Sequence, residues 1–397
     1  MAKPQIRLKG FEGEWENVCF KDFSYPAGEK NRDNLPLESY SISNELGFVP
    51  QNEQFEKGGT MANADKRMYY IVKPDSFAYN PARINVGSIG HDNLDKDVIV
   101  SSLYVIFKTD SETNNEWLNI WFKTPYFKRL VELYQEGGVR LYFFYDKLCA
   151  CHLNRPLLLE QKAIADYFKS LDSILQSTTK KIESLKQMKS ACLVSMFPQA
   201  GETTPRVRFK GFEGEWVKDK AVNLFMTFNE RNRPDLPVLS ANQDIRGMAP
   251  RSDTGYTISH NKANEVTYKV VKPGQYVIHL RSFQGGFAHS AVEGITSPAY
   301  TVFGFKNLNL HDDYFWKIIF MSKSFIKSLE TITYGIRDGR SISFSEFSEM
   351  SFLFPSKQEQ QKISTYFRSL NKQISLQEQK LEKLKQIKAA CLDKMFV

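Results

Sequence analysis

The chain lacks most of what a secreted scaffold, a membrane protein or an enzyme would show. Its five cysteines in 397 residues are an odd number without framework spacing, which argues against a disulfide-held secreted fold and for a reducing compartment. Long hydrophobic runs are missing too. The longest nearly apolar stretch, Val98 to Phe107, is broken by Ser101 and Ser102, and the opening MAKPQIRLKG has no apolar core of the kind a secretory signal needs. A cytoplasmic protein without a membrane span is expected. No G-x-x-x-x-G-K-[ST] loop is present to cradle a nucleoside triphosphate. NPAR (Asn80 to Arg83) and VGSIG (Val86 to Gly90) come nearest to a methyltransferase's Pro-Pro-aromatic tetrapeptide and glycine-rich cofactor turn, and both lack the needed residues. The six histidines form no spaced pair of ligands, and CACH (Cys149 to His152) has no second pair nearby. No catalytic residue and no metal site is assigned.

What is present is a mildly basic chain with a repeat. Lys and Arg outnumber Asp and Glu by 53 to 45, a net charge of +8, which is compatible with a polyanionic partner but does not by itself establish one, because clustering matters more than the total. The repeat is more informative. KGFEGEW at Lys9 to Trp15 returns at Lys210 to Trp216, YIVKP (Tyr70 to Pro74) returns as YKVVKP (Tyr268 to Pro273), and EQKAIADYFKSL (Glu160 to Leu171) returns as EQQKISTYFRSL (Glu359 to Leu370). KIESLKQMKSACLVSMF and KLEKLKQIKAACLDKMF, from Lys181 and Lys380, agree at 11 of 17 positions. Between these anchors the halves differ, so the frame is duplicated and the displayed surface is not.

Within each half the texture changes once. Short runs rich in Val, Ile, Tyr and Phe, separated by Gly, Asn, Asp and Pro, read as strands and turns, while WLNIWFKTPYFKRLVELY (Trp117 to Tyr134) and YFWKIIFMSKSFIKSLE (Tyr314 to Glu330) have helical spacing. From Leu158 to Phe197 and from Lys357 to Phe396 there is neither Pro nor Gly, which predicts one long helix closing each half. Each helix has an apolar seam on alternating steps of four and three: Ile164, Phe168, Leu171, Leu175, Ile182 and Leu185, then Cys192 and Met196; and Ile363, Phe367, Leu370, Ile374, Leu381 and Leu384, then Cys391 and Met395. This is a coiled-coil pattern. Thr178 and Gln377 are the polar members, equally compatible with fixing register and with lying near the surface. The chain therefore divides into a domain 1–157, a helix 158–197, a linker 198–204, a domain 205–356 and a helix 357–397.

In the order of these motifs, each met twice, the chain resembles the specificity subunits of type I restriction-modification enzymes: the basic opening before GFEGEW, the R-x-x-x-G stretches ARINVG and LRSFQG, the GVR and GIR turns, the P-x-x-x-EQ-x-x-I helix start and the KxExLKQxKxxxLxxMF helix end. The resemblance implies an α+β protein in which two pseudo-repeated target-recognition domains, separated by two long antiparallel coiled-coil helices, read a split site in double-stranded DNA. It also implies partners: two modification subunits carrying S-adenosylmethionine, and restriction subunits carrying ATP and Mg²⁺. None of these cofactors is expected on this chain, which would be non-catalytic by itself.

The binding candidates follow from residue type. Arg83, Asn85 and Ser88 lie among glycines in ARINVGSIGH, and Arg281, Ser282 and Gln284 lie in the matching LRSFQGGFAH. Arg forks onto guanine and Asn or Gln onto adenine; the same residues at strand ends can instead satisfy local backbone groups. Arg140 in EGGVRLY, and Arg337 with Arg340 in YGIRDGRS, follow glycine at matching turns, where a cation can meet phosphate or a base edge or simply form a surface ion pair.

Overall fold

The computed structural model describes residues 3–44, 46–54, 65–242, 247–254, 262–280, 282–330 and 342–396. The chain folds into two compact units, Met1–Lys181 with Gln377–Val397 and Ile182–Leu376. Each unit holds one globular domain and parts of both long helices, Leu158–Ser195 and Lys357–Lys394.

In unit 1 the apolar runs become short strands. A four-stranded antiparallel sheet has the order Ser24–Pro26, Val105–Thr109, Phe77–Tyr79, Ile89–His91. Glu29–Lys30, Tyr70–Val72 and Val98–Val100 form a second sheet, and Tyr40–Ser43 pairs with Gly47–Pro50. Phe77–Tyr79 and Val98–Val100 are buried at every residue, which is why they read as continuous apolar runs and not as alternation. The stretch with helical spacing becomes two helices, Asn115–Trp121 and Pro125–Tyr134. Asn114 Oδ1 accepts the Trp117 N–H at 2.9 Å and Thr124 Oγ1 accepts the Phe127 N–H at 3.2 Å, so each helix starts on a side-chain cap, the second with Pro125 in its first turn.

Unit 2 repeats the plan. Asp312 and Ser322 cap the helices Asp313–Phe320 and Lys323–Leu329. The main sheet here has six strands, because Gly247–Pro250 pairs in parallel with Ala288–Ser290 and joins its own hairpin to the sheet.

The long helices run antiparallel within each unit. In unit 1 the Tyr167 hydroxyl lies 3.5 Å from Cys391 Sγ, and Lys388, a turn earlier, binds Asp172, a turn later. In unit 2 the Tyr366 hydroxyl lies 3.3 Å from Cys192 Sγ, and Leu185 packs with Leu370 and Ile374. Ile164, Phe168, Leu171, Ile182, Leu185, Ile363, Phe367, Leu370 and Ile374 are buried, as is Thr178, whereas Leu175, Leu381, Leu384 and Gln377 are half-buried.

The helix ends do more than extend this stripe. Phe396, which closes the second repeat, sits in the core of unit 1, with its ring 6.2 Å from Trp117, 6.5 Å from Trp15 and 6.1 Å from Phe168. Phe197, which closes the first repeat, packs in unit 2 at 5.7 Å from Phe315, 5.8 Å from Trp216 and 6.2 Å from Phe367. Matching backbone bonds accompany the rings, Ile6 N–H to the Lys394 carbonyl at 3.0 Å and Val207 N–H to the Ser195 carbonyl at 2.8 Å. Each repeat thus completes the core that the other begins.

Candidate nucleic-acid interface

Two repeated braces hold the frame from which any recognition surface projects. Arg7 Nε and Nη2 donate to the two carboxylate oxygens of Glu160 at 2.8 and 2.7 Å, and Arg7 Nη1 donates to the Gly13 carbonyl at 2.5 Å. Arg208 repeats this on Glu359, at 2.7 Å to each oxygen, and on the Gly214 carbonyl at 2.6 Å. Glu160 and Glu359 are buried, and such a forked, charge-assisted pair leaves neither carboxylate uncompensated. The hydrogen bond to its glutamate comes first among the influences that raise each guanidinium above its ordinary value, against burial. The neighbouring glutamines tie the helix start to the loop before the short helices: Gln161 Oε1 accepts from Asn114 N–H at 2.7 Å, and Gln360 Oε1 accepts from Asp312 N–H at 2.9 Å. The GFEGEW and EQ motifs are therefore structural.

The displayed loops carry the remaining candidates. In ARINVG the chain makes a short 3-10 turn, Ile84–Val86, pinned by buried Ile84 and by Asn80 Oδ1 accepting from Ala82 N–H at 3.0 Å. Arg83, Asn85 and Val86 are exposed. Ser88 is not: it is buried, and its hydroxyl donates to the Ile42 carbonyl at 2.9 Å. Arg140 lies on a reverse turn closed by reciprocal backbone bonds between Glu136 and Tyr142, both 2.8 Å. Gly137 is required there, since its φ is +136° and a Cβ would collide with the Arg140 carbonyl. Val139 and Arg140 are exposed. Phe143 N–H donates to the Pro81 carbonyl at 3.0 Å, so the Arg83 and Arg140 loops are fastened side by side in unit 1.

In unit 2, Gln284 is exposed, but Ser282 is buried and its hydroxyl accepts from His279 N–H at 2.8 Å. Ser88 and Ser282 are thus buried, each hydroxyl bonded to backbone within its own unit. Gly286, at φ +80°, lies against the Phe320 carbonyl with no room for a Cβ. Arg281, Arg337 and Arg340 lie outside the described residues.

A histidine pair escaped the sequence reading. His91 Nε2 lies 2.8 Å from Asp75 and its Nδ1 3.3 Å from Glu116, and at the matching strand position His289 Nε2 lies 2.6 Å from Asp313. Burial opposes protonation of His91, but the facing carboxylates of Glu116 and Asp75 outweigh it and raise its pKa. Aligning SIGH with GFAH would have shown the coincidence; the carboxylates are too distant in sequence to be found that way. The CACH cysteines are structural neighbours of the strand His152–Arg155: the Cys151 thiol, pushed up to about 12 by burial, lies 3.3 Å from the Lys147 carbonyl. Among the described residues no group of His, Cys, Asp and Glu could hold a metal ion, and no helix is long and apolar enough to cross a membrane.

The architecture is that of a duplicated α+β scaffold presenting two unlike sets of loops on a shared pair of helices. Residues 217–386 match the family described as type I restriction modification DNA specificity domain. Its fold is also found in solved structures. The HsdS subunit from Thermoanaerobacter tengcongensis matches with a TM-score of 0.51 and 14% identity, over 96% of each chain. The type I S subunit from M. genitalium matches with a TM-score of 0.55 and 11% identity, over 100% of this chain and 99% of that one. A third, from a structure concerned with complex assembly and conformational transition of the type I R-M system, has a TM-score of 0.51 and 13% identity over 96% and 97%. At these identities the likeness is one of fold. No curated protein sequence matches the chain.

Proposed function

We propose that this chain reads a bipartite, asymmetric site in double-stranded DNA, one part per unit, and positions two modification subunits over it, with restriction subunits joining the same assembly in the cytoplasm. The observation that carries this reading is the contrast between frame and display: the forked Arg–Glu pair and its bond to a glycine carbonyl recur in both units, while ARINVG and LRSFQG differ in sequence at the same place in the repeat. Two unlike readers on one duplicated scaffold suit a target whose two parts differ. Arg83, Asn85, Arg140 and Gln284 are exposed and of the types that contact base edges and phosphates; Arg281, Arg337 and Arg340 are proposed with them on residue type alone.

The chain's own role is binding and orientation. S-adenosylmethionine belongs in this reading to the modification subunits, and ATP with Mg²⁺ to the restriction subunits, so the chain by itself transfers no methyl group. Mapping methylated adenines in the host genome with and without the gene tests the proposal. Loss of one split motif, its parts about a helical turn apart, is the expected result; a continuous palindrome, or no change, would overturn it.

A further inference from the structure

Unit 2 carries a cationic notch whose counterpart in unit 1 has one more carboxylate set against it. Tyr314, in the first turn of the helix Asp313–Phe320, is flanked by two cations: the Arg368 guanidinium lies 4.0 Å from its ring centroid and the Lys317 ammonium 5.5 Å. Asn371, one turn beyond Arg368, donates to the Tyr314 hydroxyl at 2.8 Å and so holds the ring in place. The nearby carboxylate is Asp313, 3.8 Å from Arg368 but already 2.6 Å from His289. Burial, Arg368 and Lys189 all push the Lys317 ammonium down, as expected of cations crowded together.

At the matching positions of unit 1, Glu116 replaces Tyr314, Asn119 replaces Lys317, Asp172 replaces Asn371 and Lys169 replaces Arg368. There Lys388 is bound by Asp172, and Lys123 faces both Asp172 and Glu116. Two carboxylates, Asp172 and Glu116, therefore act on the cations of this corner in unit 1, where Asp313 alone acts on Lys317 in unit 2.

We propose that Lys317 and Arg368, set on the Tyr314 platform, clamp a backbone phosphate of double-stranded DNA, a contact that the first repeat does not make. The arrangement suits a phosphate: two donors of different reach lie on one rigid ring, half-shielded from water, where an anion gains more than at an open surface. The inference rests on the DNA-reading proposal and adds an asymmetry to it, since one half of the target would be held more firmly and with a steeper salt dependence.

The test uses the full chain and a 30-bp random-sequence duplex, titrated over a series of KCl concentrations. Each phosphate contact adds roughly 0.9 to the slope of log K against log salt, so Lys317→Gln with Arg368→Gln should lower the slope by about 1 and weaken binding about tenfold at low salt. Lys169→Gln in unit 1 should leave both unchanged. The graft Asn119→Lys with Asp172→Asn should raise the slope by about 1, and it decides the matter if the unit 2 variant unfolds. A variant slope equal to that of the unsubstituted chain, or a graft without effect, overturns the clamp while leaving the DNA reading intact. Unchanged duplex binding with lost capture of a modification subunit would make the notch a protein contact instead, and failure of the unsubstituted chain to bind any duplex would remove both proposals.

Discussion

Replacing Phe396 by alanine tests the exchange of helix ends, because the residue lies in the second repeat by sequence and in the first core by structure. Its side chain is buried at 5% exposure and meets Trp15, Trp117 and Phe168. Truncating a buried phenylalanine costs about 3–5 kcal/mol from lost transfer energy and the cavity left behind. About 3 kcal/mol, the lower end of that range, is the working figure. For domains of this size each kcal/mol shifts the midpoint by about 2–4 °C, so unit 1 should melt roughly 6–12 °C lower. Scanning calorimetry combined with amide exchange resolved by peptide is the assay, with lost protection expected in residues 3–157 and little change in 205–330. If protection falls instead in the second domain, or the first transition moves by less than about 2 °C, the exchange of helix ends is refuted.

A fragment ending at Gln199 should self-associate, because its own Cys192, Met196 and Phe197 match the Cys391, Met395 and Phe396 that the first core has lost; a monomer in sedimentation at micromolar concentration would count against this. Arg83→Ala should weaken specific binding by about 1–3 kcal/mol and relax one half-site in a gel-shift competition, whereas Ser88→Ala should lower stability and leave base preference alone. His311 is held neutral, its pKa lowered to about 4 chiefly by burial against Phe305. Since the unfolded chain takes up this proton first, near pH 6.5, stability is intact above that pH and falls as pH drops towards 4. His311→Phe should flatten acid unfolding over that window, and an unchanged profile would show that another group governs it.

The repeat, the two long helices and the mixed α+β class were legible because each leaves a local or periodic signal. Absence of Pro and Gly marked the helices, which the structure places at Leu158–Ser195 and Lys357–Lys394. The stripe beginning at Ile164 was visible as period, but period reports that a face is buried and not what buries it. Met196 and Met395 continue the same rhythm as Leu185 and Leu384, yet they end inside globular cores. The Arg7–Glu160 brace spans 153 residues, and nothing local in either motif names its partner. In the displayed loops, residue type alone could not separate Arg83, which faces water, from Ser88, whose hydroxyl points inward to Ile42.

These failures share a cause that also explains the pattern of identity between the repeats. Each helix end must fit a socket built by the other repeat, and the sockets are nearly alike: Trp15, Trp117 and Phe168 in unit 1, and Trp216, Phe315 and Phe367 in unit 2. A tail and a socket constrain each other, so a Cys-Leu-x-x-Met-Phe end is required twice, and so are the Tyr167 and Tyr366 hydroxyls that meet its cysteine. The loops at 83–88 and 282–286 lie outside that constraint, since the frame needs from them only a buried anchor and a correctly placed glycine. They can differ without cost to the core. A chain built this way can change the displayed loops of one unit while the core of the other stays as it was.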